Sequence, residues 1–173
     1  PPAHVRGVDL SAAVLDPQKV DPIRDSHLFT FDDIRAGNKS LPQSVNAANR
    51  LRSVRTHDWK YTRYFHADGS YLEEFELYYI RGIEDHATYP GNDPNDPLGM
   101  ALKGKLYECV NLAYDENPDF QQLPPDAKKQ VREARVHMAE LLKKRELDIL
   151  TGQDLQMRIK IEQVRAAQEM ATN

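Results

Sequence analysis

Leu51-Arg52-Ser53-Val54-Arg55-Thr56-His57-Asp58-Trp59-Lys60-Tyr61-Thr62-Arg63-Tyr64-Phe65 is the stretch that decides the fold. Two β-prone runs, 51–56 and 59–65, flank the two-residue turn His57-Asp58, which is the spacing of a hairpin. In the second run Trp59, Tyr61, Arg63 and Phe65 alternate with Lys60, Thr62 and Tyr64, so one strand face is rich in aromatics and the other is more polar. Downstream, Ala67-Asp68-Gly69-Ser70 supplies turn chemistry and Glu74–Tyr79 alternates again, which extends the hairpin into an antiparallel meander. Upstream, His27-Leu28-Phe29-Thr30-Phe31 is a compact β-prone run cut off by Asp32-Asp33 and reads as a buried strand. Residues 35–49 are small and polar, with Gly37 and Pro42, the composition of a loop.

Helices flank this sheet. Val8–Leu15 has apolar residues at helical spacing and stops at Asp16-Pro17, because proline disfavours helix in the residue before it. Leu123-Pro124-Pro125-Asp126 is a helix start, after which Val131, Ala134, Met138, Leu141, Leu142 and Ile149 recur on one face. A break is expected at Thr151-Gly152. Beyond it Leu155, Met157, Ile159, Ile161 and Val164 are divided between two faces of a tail that needs a partner surface. Between sheet and helix, Gly82 to Gly104 is rich in Pro, Asn and Asp and reads as a surface excursion without a regular element. The expected fold class is α+β: a small antiparallel sheet of three to four strands with a packed amphipathic helix, plus a helical C-terminal tail. The divisions are 1–49, 50–150 and 151–173.

Composition narrows the function. The chain has 173 residues, room for one or at most two domains. Lys+Arg 23 against Asp+Glu 27 gives a formal charge of −4, so no global basic field draws in nucleic acid or an anionic membrane. Charged residues at 29% and a mean hydropathy of −0.70 imply that part of the chain lacks its own core. The opening Pro1-Pro2-Ala3-His4 has neither a basic region nor an apolar run and no initiator Met, so the sequence reads as a piece of something longer, in a compartment left open between cytoplasm and periplasm.

No complete catalytic constellation appears. His4, His27, His57, His66, His86 and His137 never pair at metal-ligand spacing. Asp32 and Asp33 are adjacent in extended chain and point apart, which suits strand termination better than cation binding. Cys109 has no neighbouring base and is expected to pack as a small apolar side chain. Arg50, Arg52, Arg55, Lys60 and Arg63, threaded with Trp59, Tyr61 and Tyr64, could face an anion or a stacked ring, although solvated strand faces are the ordinary outcome. No catalytic or metal-ligating residue is assigned, and substrate-binding residues are left open.

Four phrases, taken in order, resemble the C-terminal portion of the sulfatases, the formylglycine-dependent branch of the alkaline phosphatase superfamily. Val8-Asp9-Leu10-Ser11-Ala12-Ala13-Val14-Leu15 resembles that family's Val-Asp-Leu-x-Pro-Thr-Leu-Leu helix. Val54-Arg55-Thr56 with Lys60-Tyr61 is similar to Val-Arg-Thr-x-x-x-Lys-Tyr. Phe75-Glu76-Leu77-Tyr78 resembles Glu-Leu-Tyr-Asp, and Glu108-Cys109-Val110-Asn111-Leu112-Ala113 resembles Glu-x-x-Asn-Leu-Ala. The resemblance covers about residues 8 to 150 and implies the C-terminal subdomain of an alkaline-phosphatase-like α/β enzyme.

For the complete enzyme it implies hydrolysis of sulfate esters, with a formylglycine hydrate attacking sulfur and calcium or magnesium steadying the developing charge. The family's Cys/Ser-x-Pro/Ala-x-Arg signature is absent from this sequence, and Cys109 is followed by Val-Asn-Leu, so no catalytic role is carried over to it. The implied partners are an upstream catalytic domain and, through the C-terminal helices, a second copy of the chain. The alternatives are a segment of a phosphoester or phosphonate monoester hydrolase, and a noncatalytic interaction module.

Overall fold

Alternating side chains, with a tight turn between the second and third, produce four strands: β1 (His27–Asp32), β2 (Arg50–Arg55), β3 (Trp59–Phe65) and β4 (Glu74–Tyr79). In the computed structural model they form one antiparallel sheet in the order β1-β2-β3-β4. The structure describes residues 25–33, 48–66, 69–70, 72–83 and 88–171, with side chains to residue 148. The chain divides into two compact units, Asp25–Leu142 and a second made of Pro1–Arg24 with Lys143–Asn173.

Register explains which face is apolar. Leu28 opposes Val54, Val54 opposes Tyr61, and Tyr61 opposes Leu77, so one row crosses all four strands. Because side chains alternate with period two, that row sends Trp59, Phe75 and Tyr79 to the same side. The β2–β3 turn is held by the backbone N–H of Thr56 on the Trp59 carbonyl at 2.8 Å. Trp59 N–H in turn donates to the Thr56 hydroxyl at 3.1 Å. Helix α3 (Pro125–Ala171) contributes Val131, Ala134, Met138 and Leu142, from its part within this unit, to the core against this face. These are four of the residues whose spacing marked the helix in the sequence. The arrangement is α+β, a four-stranded antiparallel sheet with helices contributing to its core.

Three expectations are corrected. First, β1 is not buried: Phe29 and Phe31 are 59% and 51% exposed, because β1 is an edge strand and these two side chains lie on the face away from the core. Second, the region from Gly82 to Gly104 is not a featureless surface excursion. Residues 88–106 close on themselves through Tyr89 N–H to the Lys105 carbonyl at 3.1 Å and Gly104 N–H to the Tyr89 carbonyl at 3.0 Å. Inside this loop, α1 (Pro97–Ala101) starts at Asp96, whose carboxylate accepts from Gly99 N–H at 3.0 Å. Leu98, Leu102 and Tyr89 then enter the core, so prolines and acids that read as loop chemistry are cap chemistry. A side chain at Gly99 would place its Cβ 2.3 Å from an Asp96 oxygen, so the cap and the glycine depend on each other.

Third, α3 runs unbroken from Pro125 to Ala171, through Thr151-Gly152. One glycine costs a helix about 1 kcal/mol, whereas stopping and renucleating costs more when helix formers continue on both sides. The remaining elements are a short 3-10 turn (Tyr107–Cys109) and α2 (Pro118–Gln121). In the second unit, the described part is helix, with Arg145 within 3.8 Å of Asp148. The helix expected at 8–15, residues 34–47 of the loop, and the side chains of the two-sided tail lie outside the described residues.

Helix α3 should respond asymmetrically to truncation. Met138→Ala, at a fully buried position, should cost about 2–5 kcal/mol. Val136→Ala, at a side chain 61% exposed, should stay within about 0.5 kcal/mol, both read from urea midpoints.

Candidate functional site

The residues singled out by sequence separate into two places. The first is the outer edge of β4, where the Glu108–Ala113 phrase docks. Asn111 accepts from Leu77 N–H at 3.0 Å and from Ala113 N–H at 3.0 Å, and its amide donates to the Phe75 carbonyl at 3.0 Å. Leu112 N–H donates to the Leu77 carbonyl at 2.8 Å, and Phe75 N–H donates to the Tyr114 hydroxyl at 2.8 Å. Outward-facing backbone groups of β4 that would otherwise need water are satisfied by this segment. The same segment receives α3: Arg135 Nε donates to the Leu112 carbonyl at 2.7 Å, while Asp115 pairs with Arg132 at 2.8 Å and with Arg135. Both guanidiniums sit over the buried Phe120 ring, Arg135 at 4.5 Å and Arg132 at 5.3 Å. Sequence reasoning singled out Asn111 only as part of a phrase. The signal for its role was an Asn two residues ahead of a backbone N–H it can hold, the geometry of an Asx turn.

The second place is a groove of about 700 Å³ on the sheet face opposite the core, lined by His27, Phe29, Arg55, Lys60, Ile83 and Tyr107, among others. Parity splits the basic set. Arg52 and Arg63 point to the core-side face, where Arg52 pairs with Asp32 at 2.6 Å and Arg63 donates through Nε to Glu73 at 3.1 Å. Arg63 also lies 4.4 Å from the centre of the Phe65 ring. Arg55, Lys60 and Tyr64 line the groove. Trp59 and Tyr61 go the other way, into the aromatic layer: Trp59 packs on Tyr79 at 4.9 Å and Tyr61 on Phe75 at 6.0 Å. The groove floor is closed by Ser53 and Thr62, whose hydroxyls lie 3.0 Å apart, with Ser53 also donating to the Tyr61 carbonyl at 3.2 Å.

The other candidates remain apart. His57 sits 2.7 Å from Asp58, and the Ser70 hydroxyl lies 3.0 Å from His66 Nδ1. His27 is exposed at the groove, His137 is exposed on α3, and His4 and His86 lie outside the described residues. Asp32 is held by Arg52, whose hydrogen bond keeps its carboxyl below the ordinary range. Cys109 is exposed on the 3-10 turn and does not pack as an apolar side chain, because a three-residue helix cannot bury all of its sides. Among the described residues no three His, Cys, Asp or Glu side chains gather as a metal site, and no helix is long and apolar enough to cross a membrane.

Tyrosines dominate the titration. Burial, aided by the Glu76 charge, pushes the Tyr78 phenol up to about 12. Burial is also the first cause that raises Tyr64, Tyr79 and Tyr89 far above the ordinary value. A folded-state value above the unfolded one stabilises while the group is protonated and is lost as pH rises through the folded value. Stability to urea should therefore hold to about pH 10 and fall between about pH 10 and 12. Asp115 works on the acid side: hydrogen bonds from Arg132 and Arg135 hold it low, so its contribution is lost only as pH drops below the ordinary carboxylate value. Asn111→Ala should cost about 2–3 kcal/mol in the same assay at neutral pH, because it leaves three backbone groups short of a partner.

Searched against known proteins, the chain matches no family, no curated protein and no solved structure.

Proposed function

We propose that this chain is the C-terminal antiparallel-sheet subdomain of a sulfatase-like hydrolase. Its work there is structural: it walls one side of a substrate cleft whose nucleophile and cation belong to an upstream catalytic domain. The observation that carries this reading is the meeting of the resembling phrases. Val54–Tyr61 forms the central hairpin, Phe75–Tyr78 lies beside it on β4, and Glu108–Ala113 is fastened to β4 through Asn111. Three phrases that are far apart in the chain thus act as one hydrogen-bonded unit. A segment retained for structure has its polar members turned inward onto backbone, as Asn111 is, whereas a catalytic segment presents them to a substrate.

The described residues do not suit the cofactors that the resemblance implies. Cys109 stands outside a Cys-x-Pro/Ala-x-Arg context, and no carboxylate set is arranged for calcium or magnesium, so no chemical step is assigned to this chain.

The test is genetic and enzymatic. The gene encoding this chain should carry Cys/Ser-x-Pro/Ala-x-Arg upstream, and its full product should hydrolyse an aryl sulfate with added calcium, while residues 1–173 alone do not. Preference for a phosphate or phosphonate monoester would move the parent to the neighbouring branch. A gene without the signature would favour a noncatalytic module. Turnover by the isolated chain, abolished by a substitution within it, would overturn the structural role.

A further inference from the structure

The groove sets two cations directly opposite each other on neighbouring strands. Arg55 and Lys60 are register partners on β2 and β3, and His27 is the partner of Arg55 on β1, so the three share one rung. Two cations placed directly opposite each other destabilise an antiparallel pair. Two other arginines of the sheet do have carboxylate partners, Arg52 with Asp32 and Arg63 with Glu73. Neither Arg55 nor Lys60 has a carboxylate within ion-pair distance among the described residues. Two of the acids on this side are hydrogen-bonded by tyrosines, Glu76 from Tyr64 at 3.0 Å and Glu108 from Tyr107 at 3.1 Å, and Glu74 lies opposite Tyr64 at the far end of the face. Lys60 keeps its ammonium 5.5 Å above the Tyr78 ring, an attraction that steadies the side chain without pairing it to a carboxylate.

The surroundings of the rung are apolar. Ile80, Ile83 and Tyr107 line it at the β4 end, while Ser53 and Thr62 have turned their hydroxyls to each other and to backbone. The volume, about 700 Å³, lies within the ~300–1,000 Å³ range of small-molecule sites.

We propose that this groove binds an organic oxyanion with an aromatic or apolar body. The anionic head lies between Arg55 and Lys60, and the body lies against Ile80, Ile83 and Tyr107. The guanidinium fork of Arg55 matches two oxygens of a sulfonate, sulfate, phosphate or carboxylate, and the ammonium of Lys60 closes the other side. Bound anion replaces repulsion across the rung with two attractions. The inference does not rest on the hydrolase reading, because it concerns binding without turnover and uses no residue outside the groove.

The test titrates the full chain with benzenesulfonate, inorganic sulfate and neutral benzenesulfonamide at one ionic strength, following backbone amide shifts by NMR and the unfolding temperature. Benzenesulfonate should give saturable shifts over residues 53–62 and raise the melting temperature. Sulfate should bind at least about fivefold more weakly, and the sulfonamide should give no saturable shift, since each lacks half of the recognition. The double variant R55Q/K60Q should lose about tenfold or more in affinity. Without any anion it should melt no lower than the parent, because the like-charge pair is gone; this readout separates loss of a site from loss of the fold. The proposal is overturned by parental affinity in the double variant, by sulfate binding as tightly as benzenesulfonate, by a double variant less stable than the parent, or by no saturable response in the folded parent.

Discussion

The outward row of backbone groups on β4 is the constraint around which the rest of this structure is arranged. An edge strand exposes N–H and C=O groups that must find partners, and here the partners are supplied from the chain's own later sequence. Asn111 serves Phe75 and Leu77, Leu112 serves Leu77, Tyr114 serves Phe75, and the Tyr89 hydroxyl donates to the Tyr79 carbonyl at 2.6 Å. The strap so fastened offers the Leu112 carbonyl and the Asp115 carboxylate to Arg135, which fixes α3 lengthwise against the sheet. Hydrophobic burial holds the helix down but is indifferent to small slides along its axis. The directional bonds from Arg132 and Arg135 provide the register.

The two faces of the sheet are consequently unlike. The core face carries an aromatic layer in which Trp59, Tyr79 and Tyr89 follow one another, with ring centres 4.9 Å and 6.2 Å apart, and ion-paired arginines at its other end. The other face has satisfied hydroxyls at its middle and two cations across one rung. That asymmetry is what makes the second face a candidate for recognition and the first a matter of stability. It also explains why the basic residues of the hairpin do not act as one patch: strand parity assigns them to opposite sides, whatever their proximity in sequence.

The fold was legible where periodicity was regular. The strands 59–65 and 74–79 follow from alternation, the strand 50–55 from a β-prone run ending at the His57-Asp58 turn, and the start of α3 from Pro124-Pro125-Asp126 with its apolar stripe. The segment around α1 was not legible, because Asp96 before Pro97 reads equally as a turn and as a helix cap, and only the closing of 88–106 distinguishes them. β1 was found but given the wrong exposure: a five-residue β-prone run does not reveal whether it lies at the centre or the edge of a sheet. The unbroken α3 shows the converse, in which one Gly-containing pair is outvoted by its neighbours. For the groove, sequence supplied Arg55 and Lys60 but not their companions. Ile80, Ile83 and Tyr107 arrive from beyond β4 through tertiary contacts that no local pattern contains.

The sequential order of the strands carries a consequence for the nascent chain. Each strand pairs with the one before it, so on the ribosome the sheet can assemble from neighbours as soon as residue 79 has emerged. Its apolar face then waits. Val131, Ala134, Met138 and Leu142, which cover that face, are synthesised last within this unit, and the strap that closes β4 comes only a little earlier. For that interval the protein is a formed sheet with an open edge and an unshielded aromatic layer, the state in which chains of this kind are most prone to pair with one another. The vulnerability of this molecule therefore lies in the order of its synthesis, and translation speed across residues 80–142 sets how long it lasts.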